Sequence, residues 1–521
     1  MSAADTIERT APTGVEPTAP GQGSRTRAVL ALARFEAREL LLQIPVFAFL
    51  VLYVVYTGWQ TFSGREGMDD FPVLQDVDRD TQSGPILLGV ALFVCANRAV
   101  LRSRRRDTDR HLDVLPMEPW RRTVAHGLSV VPFAAVTALV VTFQFTWAAL
   151  KPGAVGHGSP AELAVGPLSV LLSGILGVLA ARLVTSSFAA PLLVVGIVAF
   201  GTLVSVGASD AHWERWLWPS VSEMGRTALP SDLIGRPAAW HALYLSGLVV
   251  LLLCLAVLRG GGRTRTTVAV TALALVATGA GIAGQSPGDP ASLAAARTEA
   301  TVTPQKVQSC VTHGRSTYCA YPEWTGRTAD WAHVVDGVQS LAGGAAGGER
   351  LTVRQRVDAR YGLDGDAALD PSTTRGTVTV GTRWGGNRTP EFAVGVASVL
   401  VAGDEESAGT MCDARGVTAM WLALGALPHP TTAFTNVTLD DHVDGAEVIL
   451  APTNPISLTS EQTRIVQELL KRPRYSVVPK VKAHWAELTS PRTSTARAAE
   501  LLGVPAGDGG TKTSDGDSCG G

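Results

Sequence analysis

The sequence predicts a polytopic α-helical membrane domain of about six to seven spans, followed by an extracytoplasmic α+β domain. The chain has 521 residues, 46% of them hydrophobic and only 17% charged, whereas soluble proteins carry charge on about a quarter of their residues. The long apolar runs fall between residues 40 and 284, and the remainder has the composition of a soluble domain. Arginine is concentrated in one short stretch between two of the apolar runs.

A helix needs about 20 mostly apolar residues to cross a bilayer, and seven stretches meet this requirement. They lie at approximately 40–58, 85–101, 124–149, 163–185, 187–207, 239–258 and 267–284. The second stretch is short, and only a brief polar break separates the fourth from the fifth. The sequence therefore predicts a membrane protein more firmly than it predicts the number of spans.

We expect four regions along the chain. Residues 1–25 are rich in Ala, Thr, Pro and Gly and lack the apolar segment of a signal peptide, so we expect a disordered cytoplasmic tail. Residues 26–284 form the transmembrane domain, and residues 285–502 mix strand and helix patterns that predict the α+β domain. Residues 503–521 are rich in glycine and predict a flexible tail.

The stretch before the first span, "TRAVLALARFEARELLLQ", has apolar residues at helical spacing and arginines on the other side. This pattern favours a helix that lies in the membrane interface with its arginines toward the headgroups. The alternative is a cytoplasmic extension of the first span.

The stretch "NRAVLRSRRRDTDRHLDVLPMEPWRRTVAHG", from Asn97 to Gly127, holds eight arginines. Three explanations are open: a nucleic-acid patch, a cytoplasmic loop retained by its positive charge, or a docking surface for a partner. The net charge of −2 and the lack of an aromatic stacking platform argue against nucleic acid. Retention in the cytoplasm explains why this arginine-rich loop is positively charged. It does not explain the order of the residues within the loop.

Because arginine-rich short loops stay on the cytoplasmic side, the arginine-rich loop and the N-terminus are both expected inside the cell. The stretch 65–80 carries five aspartates and is expected outside. With seven crossings, the region after residue 285 lies outside the plasma membrane.

Cysteine usage bears on the same orientation. Cys310 and Cys319 lie close together after the last span, and we expect a disulfide between them, as is common outside the cytoplasm. Two free thiols, or half of a zinc site, are the alternatives. Cys412 is expected to be buried, with a pairing to Cys519 as a further option.

The approach helix "RFEARELLLQIPVF" and the loop "RRRDTDRHLDVLPMEPWRRTVAH" after the second span resemble permease subunits of the ABC-2 transporter type. The approach helix and six spans arranged as in those permease subunits cover residues 26–258, roughly half the chain. A seventh span and a large exterior region depart from the minimal permease, and they resemble actinobacterial membrane proteins that carry a fused exterior domain.

The resemblance implies that the first cytoplasmic loop forms a coupling helix, which docks on a separate ATP-binding subunit. It also implies a second membrane subunit, from another copy or a related chain. The candidate partner-binding residues are Arg104, Arg105, Arg106, Asp107, Thr108, Asp109, His111, Leu112, Leu115 and Pro116.

No phosphate-cradling G-x-x-x-x-G-K-[ST] sequence occurs, and neither do the usual hydrolase sequences or metal-ligand spacings. We therefore expect no catalytic site, cofactor or metal in this chain. The alternative to transport is a membrane protein whose extracytoplasmic domain binds or senses a ligand or partner.

The orientation gives the first testable prediction. A reporter enzyme that works only outside the cytoplasm will be active when fused after Gly284, because seven crossings carry that point outside. The same reporter fused after Arg106 will be inactive. An inactive reporter after Gly284 would contradict the assigned orientation and remove the compartment argument for the disulfide.

Overall fold

The computed structural model describes residues 22–62, 71–105, 117–184, 186, 188–207, 216–220, 223, 228–364, 369–382, 388–439 and 446–505. The first half of the described chain is almost entirely helical. Its helices are α1 (Gln22–Leu41), α2 (Ile44–Phe62), α3 (Leu74–Asp80), α4 (Ile86–Arg105), α5 (Pro119–Leu128), α6 (Val131–Ala149), α7 (Pro160–Leu183), α8 (Ala189–Gly207), α9 (Ser231–Ile234), α10 (Ala238–Arg259) and α11 (Arg265–Gln285).

Each of the seven predicted apolar stretches is mainly helical, and the stretch 124–149 is divided between α5 and α6. In the described part of the chain, five segments are long and apolar enough to cross a membrane: α2, α5 together with α6, α7, α10 and α11. Within α8, Ala190–Ala199 is a shorter apolar helix. The approach helix α1 ends at Leu41 and α2 begins at Ile44, so the two are separate helices rather than one extended span.

Glycine lets the bundle helices approach closely, as is common where helices pack in membranes. A Cβ added to Gly177 of α7 would lie 2.3 Å from the carbonyl oxygen of Phe93 in α4. A Cβ on Gly281 of α11 would lie 2.6 Å from Cα of Tyr244 in α10. The contacts between these backbones fix the α4–α7 pair as parallel and the α10–α11 pair as antiparallel.

The bundle has two distinguishable ends. At the loop end, α1 packs against α5 in a cluster that contains Val29, Ala33 and Ala125. At the domain end, Val73 and Val155 pair in an isolated parallel bridge. Because α7 finishes at the loop end and α10 starts at the domain end, the chain between them must pass from one end to the other.

The second half of the described chain combines helices with two small sheets. Its helices are α12 (Ala291–Val302), α13 (Thr328–Leu341), α14 (Arg388–Ala402), α15 (Glu405–Gly409), α16 (Asp413–Gly425), α17 (Pro430–Val437), α18 (Ser460–Lys471), α19 (Arg474–Ala483), α20 (Trp485–Leu488) and α21 (Thr495–Leu502). Its strands are β1 (Ser309–His313), β2 (Ser316–Ala320), β3 (Thr352–Gln355), β4 (Thr377–Val380), β5 (Glu447–Ile449) and β6 (Ile456–Leu458).

The larger sheet has the order β1-β2-β3-β4, in which β1 and β2 are antiparallel and the other neighbours are parallel. Helices α14 and α16 lie in the core and are buried almost all around, in keeping with their nearly continuous apolar sequences. Strands and helices both occur after residue 285, which confirms the mixture that the sequence patterns predict for this region. The short hairpin β1–β2 was missed.

The core of the C-terminal domain continues into the loops at the domain end of the bundle. Phe71, Val73, Val155, Leu229 and Leu233 belong to the same buried cluster as the strands and helices after residue 300. Three separate connections of the membrane part therefore form the base on which the C-terminal domain packs.

The close helix packing gives the second prediction. Gly281→Ala will lower the stability of the purified protein by about 1–3 kcal/mol, because its new methyl group overlaps the α10 backbone. Gly279→Ala, two residues earlier in the same helix, has open space around its Cβ and serves as the control. Thermal unfolding in detergent measures both variants. Equal melting temperatures for the two would show that this contact does not limit the packing.

Candidate functional site

The arginine-rich loop lies mostly outside the part of the chain that the structure describes. Arg104 and Arg105 are the last two residues of α4, and their side chains are not described. The other candidate residues fall within 106–116, which lie outside the described residues: Arg106, Asp107, Thr108, Asp109, His111, Leu112, Leu115 and Pro116. Their role in coupling stays a prediction, and the structure describes the two ends from which the loop emerges.

The base of the loop is held by carboxylates of α1. Arg102 of α4 places one guanidinium nitrogen 3.6 Å from Oε2 of Glu36 and the other 3.6 Å from Oε2 of Glu39. His126 of α5 has its Nδ1 3.9 Å from the same oxygen of Glu36. The approach helix thus connects the helix that enters the loop with the helix that leaves it.

Glu36 is buried at this junction, with 8% of its surface exposed. Burial raises the pKa of its carboxyl above the ordinary range, the positive charge of Arg102 opposes that shift, and the nearby Glu39 adds to it. A half-buried ion pair of this kind fixes geometry more than it adds stability.

Two further arginines of the loop stretch have partners close by in sequence. Arg121 donates to Oε2 of Glu118 at 2.8 Å, and its guanidinium lies 4.8 Å from the ring centre of Trp120. Arg122 donates to the carbonyl of Met117 at 3.2 Å. These arginines and Arg102 therefore build the loop's base, a role that charge counting alone did not reveal.

The domain end holds a second polar site, a buried charge cluster formed by Asp78, Arg79, Glu162, Glu223 and Arg236. Arg236 binds Glu223 with two 2.8 Å hydrogen bonds, from Nε to Oε1 and from Nη2 to Oε2. It also lies 3.5 Å from Oδ1 of Asp78. Arg79 donates to Glu223 as well.

Two carboxylates of the buried charge cluster are almost fully enclosed. Asp78 is 2% exposed and Glu162 is 4% exposed. Oδ2 of Asp78 accepts a 2.8 Å bond from the backbone N–H of Ser159, and Oε2 of Glu162 accepts a bond from Gln82. The sequence did not predict this cluster, because the aspartates of 65–80 indicate only an acidic loop and nothing in the local pattern marks Glu162.

Burial raises the pKa of Asp78 from its ordinary value to about 7. The backbone bond from Ser159 and the charge of Arg236 lower it, while the carboxylate of Glu162 raises it further. The pKa of Asp78 therefore lies near neutral pH, although its carboxylate is 3.5 Å from Arg236.

The C-terminal domain is attached beside the buried charge cluster by paired polar groups. Arg297 of α12 is 3% exposed and donates to the carbonyls of Leu233 at 2.7 Å and Ile234 at 2.8 Å. Glu323 accepts from the backbone N–H of Ser231 at 3.2 Å, and Gln75 donates to the carbonyl of Leu229 at 2.9 Å. The loop 228–237 is thus held from both sides.

Cys310 and Cys319 form the predicted disulfide, which joins paired residues of β1 and β2. Cys95 and Cys254 are free and buried. Cys412 is also disulfide-bonded and only partly buried, so it is not the buried thiol that was expected first. The partner offered for it as a further option, Cys519, lies outside the described residues. Among the residues whose placement is described, no group of three His, Cys, Asp or Glu side chains could hold a metal ion.

Comparison with known proteins finds no matching family model, no similar curated protein and no similar solved structure.

Asp78 gives the third prediction, which concerns pH. The pKa of Asp78 is higher in the folded than in the unfolded protein, so the folded state keeps the proton to a higher pH. The free energy of unfolding therefore falls as pH rises from about 4 to about 7. Asp78→Asn imitates the protonated form and removes this contribution. The variant will therefore gain stability relative to the parent between pH 5 and pH 8, measured by thermal unfolding.

The exposed Asp232→Asn is the control and will keep a constant difference from the parent. If Asp78→Asn also keeps a constant difference across that range, Asp78 is ionised throughout and the assigned shift is wrong.

Proposed function

We propose that this chain is the membrane subunit of an ABC-type exporter, driven by a separate ATP-binding subunit and paired with a second membrane subunit. It lies in the plasma membrane with seven crossings, its N-terminus in the cytoplasm and its C-terminal domain outside. The arginine-rich loop is the surface on which the ATP-binding subunit docks.

The observation that carries the proposal is the base of the loop. Arg102 at the end of α4 pairs with Glu36 and Glu39 of α1, and α1 packs along α5. A force applied to the loop by a partner would therefore act on α1, α4 and α5 together, and α5 continues almost directly into α6. This is the mechanical arrangement that a subunit without its own ATPase needs.

Two further observations support the orientation. The disulfide between Cys310 and Cys319 suits an oxidising compartment outside the cytoplasm. The arginine-rich loop and α1 lie at the loop end, while the C-terminal domain packs at the domain end. The positive-inside rule then places the loop end in the cytoplasm.

A second candidate is a membrane protein whose C-terminal domain binds a ligand or partner and signals through the bundle. The core shared by the C-terminal domain and the loops at 71–73, 155 and 228–234 favours it, because binding at a rigidly attached domain can move the helices. Association with an ATP-binding subunit separates the two candidates.

The fourth prediction tests the docking surface. Full-length protein will co-purify with a soluble ATP-binding subunit, and the double change Asp109→Ala and Leu112→Ala will reduce the recovered subunit at least tenfold. The expected loss follows from removing one polar and one apolar contact of a helix that docks in a groove.

The matched control changes the same residue types at the opposite end of the molecule, Asp232→Ala with Leu439→Ala, and leaves the recovery unchanged. Recovery that is equal for the loop variant and the parent would count against docking at this loop.

A further inference from the structure

The hairpin β1–β2 places β1 at one edge of the larger sheet, where β2 is its neighbour on one side. Four consecutive residues of β1, from Ser309 to Thr312, are exposed to solvent. The disulfide between Cys310 and Cys319 fixes the register of the hairpin, and all residues from 309 to 320 are described. β1 is therefore an edge strand with a fixed register that is open to solvent.

The register shows which backbone groups of β1 point away from β2. Residues opposite each other in an antiparallel pair alternate between those that exchange hydrogen bonds, with Cα atoms about 5.5 Å apart, and those that do not, about 4.5 Å apart. The Cα atoms of Cys310 and Cys319 are 4.0 Å apart, so this pair exchanges no hydrogen bonds. Thr317, opposite Thr312, donates its N–H to the carbonyl of Leu351 at 2.9 Å, away from β1. Cys310 and Thr312 therefore direct their N–H and C=O groups to the free edge.

The opposite edge of the sheet is closed by a buried side chain. Glu405, which is 3% exposed, accepts hydrogen bonds from the backbone N–H of Thr379 in β4 and, at 2.8 Å, from that of Ser372. Proteins often protect an edge strand with a charged side chain, a proline or a bulge, and Ser309–His313 contains none of these. The edge at β4 is blocked, whereas the edge at β1 is available to a further strand.

The cations that flank β1 are directed to their own chain. Nζ of Lys306 lies 3.4 Å from Oε1 of Glu299, and the guanidinium of Arg315 lies against Gly348. The strand itself contains no Asp, Glu, Lys or Arg. A second β1 can therefore approach this edge without bringing like charges of the two strands together.

The pattern of β1 is complementary to a second copy of itself. In an antiparallel pair centred on Val311, Cys310 lies opposite Thr312 of the partner subunit, and Thr312 lies opposite the partner's Cys310. Each of these two pairs can exchange two hydrogen bonds, and all the outward N–H and C=O groups of both strands are then satisfied. Val311, which is 37% exposed in one chain, meets Val311 of the partner subunit at the axis, with about 4.5 Å between their Cα atoms.

We propose that two copies of this chain pair through β1, as antiparallel strands related by a twofold axis, and that their four-stranded sheets join into one continuous sheet. The proposal deepens the proposed function, on which it rests for the presence of a second membrane subunit, and makes that subunit another copy of this chain. A twofold interface uses the same patch on both subunits, as an edge that is complementary to itself requires. Insertion in one membrane raises the effective concentration of the two domains, so that a contact of one strand suffices.

The test is site-specific photocrosslinking of full-length protein in its membrane. The photoreactive amino acid p-benzoylphenylalanine replaces Ser309, which in this register lies opposite His313 of the partner subunit. Irradiation will give a product of twice the mass of the chain on a denaturing gel. Mass spectrometry of its peptides will place the new bond in β1 or the turn that follows it in the second copy.

Three variants of the crosslinking protein test the contact. Val311→Asp places two carboxylates opposite each other at the axis and will lower the yield of the product at least fivefold. Thr312→Pro removes an outward N–H that makes no bond to β2, and will lower the yield several-fold. The matched control, Val302→Asp, makes the first exchange at a valine of α12 that is 63% exposed, and its yield will stay within twofold of the parent.

If Val311→Asp does not reach the membrane, Thr312→Pro and the position of the crosslink in the parent decide. No product of twice the mass, a bond outside β1 and its turn, capture of a different protein instead, or an unchanged yield in the folded β1 variants would each overturn the proposal. Recovery of the ATP-binding subunit is measured on the same preparations. Normal recovery without the crosslink removes this contact alone, whereas a crosslink without recovered subunit keeps the pairing and counts against the transport function.

Discussion

The clamp of Arg236 on Glu223 and Asp78 is the interaction on which the domain end depends. Charged groups can be enclosed between membrane helices and a folded domain only if they neutralise one another. The cluster achieves this with Asp78 from the connection between α2 and α4, and with Glu223 and Arg236 from the connection before α10. Losing one member would leave its partners charged and buried.

The C-terminal domain packs directly on the membrane part. A domain fused after the last span could be joined by a linker alone, but the core of this domain includes Phe71, Val155 and Leu233 from three different connections. Arg297 and Glu323 then satisfy the backbone of the loop before α10. The domain and the loops at this end of the bundle therefore share one core.

The loop end has a smaller charge network. There Glu36 and Glu39 of α1 neutralise Arg102 of α4. Among the described residues, paired charges therefore lie at both ends of the bundle: in the enclosed cluster at the domain end, and between α1 and α4 at the loop end.

Local sequence alone determined the apolar helices, and it favoured a separate approach helix and a disulfide between Cys310 and Cys319 over their alternatives. Spans and core helices such as α14 are specified by hydrophobic runs, and Cys310 and Cys319 are close enough in the chain to meet across a hairpin. The buried charge cluster could not be predicted from local sequence. Asp78, Glu162 and Arg236 are far apart in the chain, and the residues around each of them resemble those of an ordinary loop or helix end. Only the tertiary structure brings them together, because glycine-mediated contacts of α4 with α7 and of α10 with α11 set the helix positions from which those side chains meet.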